Sequence, residues 1–94
     1  MAPSDHQATV DREVLEIQRD IKRVGATNAD GLYSVKFGVL FDDEKVEQYY
    51  EAIVGTLKAA KKRGYIDFKG QMLLKGAHDD VDIILTNETL PDGE

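Results

Sequence analysis

The residues with the clearest chemical character are six cations in the second half of the chain. They are Lys58, Lys61, Lys62, Arg63, Lys69 and Lys75. A single acid, Asp67, lies among them, so this stretch has a net charge of +5, although the whole chain carries −6. A basic patch on an acidic protein attracts a partner with an acidic surface, at rates that fall with salt. We therefore predict that these six residues form a partner-binding surface; the alternative is an ordinary solvated helix end.

His78, Asp79, Asp80 and Asp82 also stand close together and suggest a metal site. Their spacing lacks the alternating ligands, the central glycine and the terminal glutamate of a calcium loop. We expect a structural loop there and assign no metal ligand.

Catalysis has equally little support, because the chain has no cysteine, no glycine-rich phosphate loop and only His6 and His78 as histidine bases. We predict no catalytic residue, no enzymatic activity and no cofactor.

The first element that must position these residues is a helix, because apolar residues recur in steps of three and four. These residues are Val10, Val14, Ile17, Ile21 and Val24. The opposite face carries charged residues, among them Asp20 and Arg23, and is expected to be solvated. Gly25 is expected to end the helix in the left-handed conformation. Asn28–Gly31 has the composition of a turn.

A short strand at Tyr33–Val35 and a short helix at Phe37–Phe41 are predicted next, although the alternation there would also fit a longer strand. Asp42 and Asp43 offer a side-chain cap for a following helix. This helix is predicted to be long, because its apolar stripe continues from Val46 to Ala60 in steps of three and four. It ends in Lys61-Lys62-Arg63-Gly64, with bases at the end that the helix dipole favours.

The remaining chain has strand character at Tyr65–Phe68, Met72–Lys75 and Val81–Leu85. The last two are predicted to pair as an antiparallel hairpin, which the short strand at Tyr33–Val35 would join. The predicted fold class is therefore α+β, a winged helix-turn-helix-like arrangement of three helices with a small three-stranded antiparallel sheet. Residues 10–86 would form the domain, between a flexible N-terminal tail (1–9) and a flexible acidic C-terminal tail (87–94).

Size and composition are consistent with one domain. The chain has 94 residues, of which 41% are hydrophobic and 32% charged. Its first residues hold no apolar run long enough for a signal peptide, and no stretch elsewhere approaches the length that spans a bilayer. We expect a cytoplasmic monomer that binds no membrane. A homodimer through the Tyr49-Tyr50 region is the alternative if one of these tyrosines lies outside the core.

Four separated blocks of the sequence resemble the costars family. They are Asn28–Gly31, Ser34–Phe41, Val54–Arg63 and His78–Leu85. Costars proteins are small and similar to the C-terminal actin-binding domain of the striated-muscle activator of Rho signalling. The resemblance covers roughly residues 10–86 and implies a winged-helix-like, non-enzymatic, cytoskeleton-associated protein. It implies a role in actin dynamics and cell motility, with actin or an actin regulator such as cofilin as the partner.

Nucleic acid is the alternative partner, because winged helices often bind DNA with the N-terminal residues of a recognition helix. In this chain those positions are Asp42, Asp43, Glu44 and Glu47, which would repel phosphate. The cations lie at the other end of the predicted helix. We therefore favour a protein partner and expect no binding of nucleic acid.

Overall fold

The structure is a computed structural model that describes residues 3–91, with side chains from Ala8 on. Within these residues the chain forms four helices and four strands. They are α1 (Pro3–Val24), β1 (Ala26–Thr27), β2 (Tyr33–Lys36), α2 (Phe37–Asp42), α3 (Glu44–Tyr49), α4 (Ile53–Lys62), β3 (Ile66–Asp67) and β4 (Asp82–Leu85). The fold class is α+β, as predicted, and the short strand and short helix after the first turn are confirmed.

The apolar stripe from Val10 to Val24 packs on the core and makes α1 the first helix, as predicted. The helix begins at Pro3, well before that stripe. It ends at Val24, but the prediction of a left-handed Gly25 is wrong. A Cβ at this position would lie 2.3 Å from the carbonyl oxygen of Ser34, so the close approach of β2 requires glycine.

The sheet is antiparallel, with strand order β1-β2-β4-β3. The predicted pairing of the first strand with the C-terminal strand is confirmed, since Val35 lies opposite Ile83. The predicted count of three strands is wrong, because Ala26–Thr27 pairs with β2 across the Asn28–Gly31 turn. Such a two-residue strand carries no alternation of its own, so only its partner defines it.

One face of this sheet is buried against the helices. Val35, Ile83 and Leu85 point into the core, while Lys36 and Asp82 on the other face are exposed and form an ion pair of 2.9 Å. Because side chains alternate along a strand, this division follows from the register alone. The helices therefore lie on one side of the sheet, and the loop after β3 is free to reach the end of α4.

The predicted hairpin of Met72–Lys75 with Val81–Leu85 is wrong. The strand that pairs with β4 is Ile66–Asp67, and the chain between β3 and β4 is irregular. Gly70 and Gly76 in this loop have φ angles of 81° and 96°, which other residues rarely adopt and which turn the chain away from a strand. Leu73 between them is buried and attaches the loop to the core.

The predicted long helix is also wrong, because α3 and α4 are separate helices. Tyr50 leaves the helical path with φ −96° and ψ 133°, and α4 starts only at Ile53. The Tyr50 ring is buried, and its hydroxyl donates a 2.7 Å hydrogen bond to the carboxylate of Asp20 in α1. This contact fixes Tyr50 against α1. The described chain therefore has four helices where three were predicted.

Asp20 itself was expected on a solvated face, yet its side chain is fully buried. It accepts hydrogen bonds of 3.1 Å from Lys45 and from Arg23, in addition to that from Tyr50. Burial and the bond to Asp20 raise the pKa of Tyr50, which keeps this hydroxyl a donor. Hydrogen bonds to Glu16, and secondarily to Asp20, raise the pKa of Lys45. The charges around Asp20 compensate its burial and join α1 to α3.

Asp43 connects the same two helices from the surface. It caps α3 as predicted, since its carboxylate accepts a 3.1 Å bond from the amide of Val46. It also pairs with Arg23 of α1, with a 3.2 Å bond from the guanidinium Nη1. The bond from Arg23 lowers the pKa of Asp43, and the same bond raises the pKa of Arg23. Both groups therefore stay charged at neutral pH.

The end of the chain returns to α1. The buried amide of Gln18 donates to the Thr89 hydroxyl at 2.8 Å and accepts from the Thr89 amide at 2.7 Å. This contact falls within the predicted C-terminal tail, whose residues 92–94 lie outside the described residues. In the predicted N-terminal tail, residues 3–9 belong to α1 and residues 1–2 lie outside the described part. The flexibility of both tails stays a prediction.

Candidate protein-binding site

The six predicted cations lie in several places rather than on one surface. Lys58, Lys61 and Lys62 of α4 line an open cleft of about 470 Å³, together with Phe68 and Gln71 from the start of the loop. Lys69 lines the neighbouring concavity on the other side of Phe68, while Arg63 and Lys75 line neither. We name the first concavity the basic cleft. It is formed by the last turns of α4 and the chain that follows β3.

Lys61 connects the two sides of the basic cleft. Its ammonium group donates to the carbonyl oxygens of Phe68 at 2.6 Å and Gly70 at 2.7 Å. It also lies 4.3 Å from the centroid of the Phe68 ring, within the range of a cation–π contact. With its donors committed to the loop, Lys61 attaches the loop to α4 and has little capacity left for a partner.

Two further predicted cations are also committed within the chain. Arg63 pairs with Asp11 at 2.8 Å and thereby ties the end of α4 to α1. Lys75 lies 3.3 Å from the carboxylate of Asp42 and 3.4 Å from that of Asp79. Hydrogen bonding to Asp42, with the nearby Asp79, raises the pKa of Lys75. These residues stabilise the fold rather than present free charge.

Three predicted cations remain available to a partner. Lys58, Lys62 and Lys69 are exposed and have no carboxylate partner among the side chains described from Ala8 to residue 91. Lys58 and Lys62 are four residues apart on one helix and therefore face the same way. Two free ammonium groups on one side of a cleft can bind a carboxylate-rich segment by donating charge-assisted hydrogen bonds to it.

The loop beyond the basic cleft supplies apolar surface that the sequence did not predict. Met72 and Leu74 are 59% and 52% exposed, although their pattern predicts a strand. Met72 follows Gln71, which lines the basic cleft. The flanking Gly70 and Gly76 are the sequence signal that could have indicated a loop, because two glycines interrupt a strand. Polarisable Met side chains adapt to varied partner surfaces.

His78, Asp79 and Asp80 lie in a structural loop, as predicted, and Asp82 begins β4. The His78 imidazole Nδ1 accepts from the amide of Leu74 at 2.9 Å, and Asp79 accepts from the amide of Gly76 at 2.7 Å. This bond from Gly76 is the main reason why the pKa of Asp79 is lowered. Among the described residues no group of three or more potential ligands is arranged to hold a metal ion.

No helix within residues 3–91 combines the length and apolar character needed to cross a membrane.

Known proteins resemble this chain over most of its length. The family model described as Costars matches residues 9–86. Protein costars of Dictyostelium discoideum is 57% identical over 79 residues, which cover 84% of this chain and 96% of that protein. Costars family protein ABRACL of Homo sapiens is 56% identical over 79 residues, covering 84% of this chain and 98% of that protein. The solution structure of human HSPC280 protein matches with a TM-score of 0.78 at 55% identity, covering 85% of this chain and 94% of that one.

Proposed function

Because this chain belongs to the costars family, we propose that it is a non-enzymatic protein-binding module of the actin cytoskeleton. It regulates actin dynamics and cell motility by binding actin or an actin regulator such as cofilin, as the resemblance of its four sequence blocks implies. The binding surface is the basic cleft with the neighbouring Lys69. It acts in the cytoplasm as a monomer.

The observation that carries this proposal is the unpaired charge of Lys58 and Lys62 beside a cleft. The rest of the protein is acidic, and its other cations are largely held in ion pairs, so these two groups form a local positive potential. A potential of this kind speeds the encounter with an acidic partner and contributes rim contacts. Exposed Met72 provides apolar contact next to it, and a small apolar centre with a charged rim is the usual composition of an interface.

The test compares a double and a triple variant that change the net charge by the same amount. Lys58→Glu/Lys62→Glu reverses the free charges of the basic cleft, whereas Arg12→Glu/Ala29→Glu/Asn87→Glu adds the same negative charge at exposed positions elsewhere. Lys61 and Arg63 are left unchanged, because reversing them would break contacts that hold the loop and α4. Binding to actin filaments is measured by co-sedimentation and binding to cofilin by calorimetry, with circular dichroism as the check on folding.

We expect the cleft variant to bind at least about tenfold more weakly, since reversing two rim charges should cost roughly 1.4 kcal/mol or more together. The control variant should bind like the wild type. Equal affinities for the two variants would refute the proposed surface. Binding of duplex DNA that is lost in the cleft variant would favour the nucleic-acid alternative instead.

A further inference from the structure

An apolar cleft of about 350 Å³ lies where α3 gives way to α4, at the opposite end of α4 from the basic cleft. Residues of α2, α3 and α4 surround it. They are Phe41, Val46, Glu47, Tyr50, Glu51, Ala52, Ile53 and Val54. We name it the break cleft. Its volume lies at the lower end of the range for ligand sites and is sufficient for one large side chain.

The break in the helix creates this cleft. Tyr50 turns inward to Asp20, and Ala52 is extended with φ −146°, so residues 50–52 follow no helical path. Tyr50, Glu51 and Ala52 themselves line the cleft between the two helices. Phe41, Ile53 and Val54 pack on the core but remain half-buried. The methyl group of Ala52 is too small to cover them.

The rim of the break cleft is acidic. Glu47 and Glu51 are exposed, line the cleft and have no cationic partner among the described residues. Lys75 lies 6.0 Å from the centroid of the Phe41 ring, but it is paired with Asp42 and with a second carboxylate. It therefore leaves the charge of the two glutamates uncompensated.

We propose that the break cleft binds an amphipathic helical segment of a partner protein. The segment inserts one large apolar side chain over Phe41 and Val54 and places Lys or Arg side chains against Glu47 and Glu51. The apolar floor supplies the buried anchor that concentrates binding energy, and the acidic rim selects a basic ligand. This surface lies at the start of α4 and the basic cleft at its end, so the protein presents two binding sites of opposite charge.

The ligand chemistry is tested with a random helical peptide library displayed on phage. Selection uses the wild-type chain at physiological salt, with counter-selection against Ala52→Trp, which fills the cleft without changing the charge. We expect peptides with apolar residues at positions i and i+4 flanked by Lys or Arg. A failure to enrich peptides, or enrichment of acidic ones, overturns the proposal.

A synthetic peptide of the selected sequence is then titrated into variants by calorimetry. Ala52→Trp and Glu47→Lys/Glu51→Lys should each weaken binding at least about tenfold, by loss of the anchor and of the rim charges respectively. Asp30→Lys/Asp80→Lys, a control with the same change in charge, should bind within about twofold of wild type. Equal weakening in this control would mean attraction to the acidic protein as a whole and would refute the site.

Two further measurements distinguish peptide binding at the break cleft from binding at the basic cleft and from contact between two copies of the chain. The Lys58→Glu/Lys62→Glu variant should bind the selected peptide no more weakly than wild type, because the basic cleft is not involved. A weaker complex with this variant would place the peptide at the basic cleft and overturn the proposal.

Light scattering of the free chain should give the same mass for wild type and Ala52→Trp. A higher mass for wild type alone would show that a second copy occupies the cleft, which contradicts the proposal.

Discussion

Asp20 joins α1 to α3 and to the residue after it, because its fully buried carboxylate accepts hydrogen bonds from Arg23 of α1, Lys45 of α3 and Tyr50. Lys45 and Arg23 neutralise its charge, and the Tyr50 hydroxyl is the donor to its second oxygen, Oδ2. A buried carboxylate is tolerated only with such partners. The single residue Asp20 thereby fixes where the chain departs from a helix.

Tyr50→Phe should lower the free energy of unfolding by about 1–3 kcal/mol, because it leaves one buried oxygen of Asp20 without its donor. Tyr49→Phe is the matched control, since Tyr49 is 43% exposed, and its loss of a hydroxyl should cost less than about 0.5 kcal/mol. Urea unfolding followed by circular dichroism measures both. Equal destabilisation by the two changes would show that the Asp20 bond does not stabilise the fold.

Lysines of the same helix have different roles for equally local reasons. Lys61 donates to two carbonyl oxygens of the loop, while Lys58 and Lys62, which line the same cleft, make no such bond within the described residues. Because all three are lysines, they have the same charge and the same side-chain length. Only the position of the neighbouring loop decides which lysine stabilises the protein and which is available to a partner.

At the scale of elements, glycines show where the backbone needs space and where it does not. Gly25 ends α1 against the backbone of Ser34, where a Cβ has no room. Gly55 in α4 would bring a Cβ only to 3.8 Å from the Cβ of Ala52, an ordinary contact. The first glycine is a requirement of the tertiary structure, and the second lowers helix stability.

The two glycines therefore predict opposite effects of alanine. Gly25→Ala should destabilise the protein by about 1–3 kcal/mol, because β2 or the end of α1 must shift. Gly55→Ala should stabilise it by about 0.5–1 kcal/mol, because alanine is the better helix former. Thermal and urea unfolding give both values. Destabilisation at Gly55, or none at Gly25, would contradict the packing described.

At the scale of the molecule, the net charge and the distribution of exposed apolar side chains both favour a single copy. The exposed large apolar side chains are distributed over several elements. They are Leu15, Val39, Tyr49, Met72 and Leu74. Dispersed single apolar residues are normal for a protein surface, and a net charge of −6 adds repulsion between copies.

Multi-angle light scattering should therefore give the mass of one chain, about 10.5 kDa, at up to roughly millimolar concentration. Of the two tyrosines considered for a homodimer, Tyr50 is buried and Tyr49 is exposed, so Tyr49→Ser is the informative variant. It should leave the mass unchanged. A dimeric wild type that becomes monomeric in Tyr49→Ser would show that the homodimer alternative is correct.

The sequence by itself determined those features whose cause is local. The stripe from Val10 to Val24 makes a helix because its spacing matches one helix face, and Asp43 caps α3 by reaching an amide three residues away. The Asn28–Gly31 turn and the β-branched strand at the end of the domain also follow from nearby residues. The concentration of cations after Lys58 is likewise a property of the sequence alone.

Tertiary structure alone decided the features that depend on residues distant along the chain. At the break after α3, Tyr50 is held by a hydrogen bond to Asp20, thirty positions away, and the helical pattern of the sequence does not show this contact. The pairing of β3 rather than Met72–Lys75 with β4 follows from where the loop glycines turn the chain. The fold brings together residues that are distant in the sequence. These neighbours decide which cations remain unpaired and where a cleft opens. The periodicity of the sequence does not identify these neighbours.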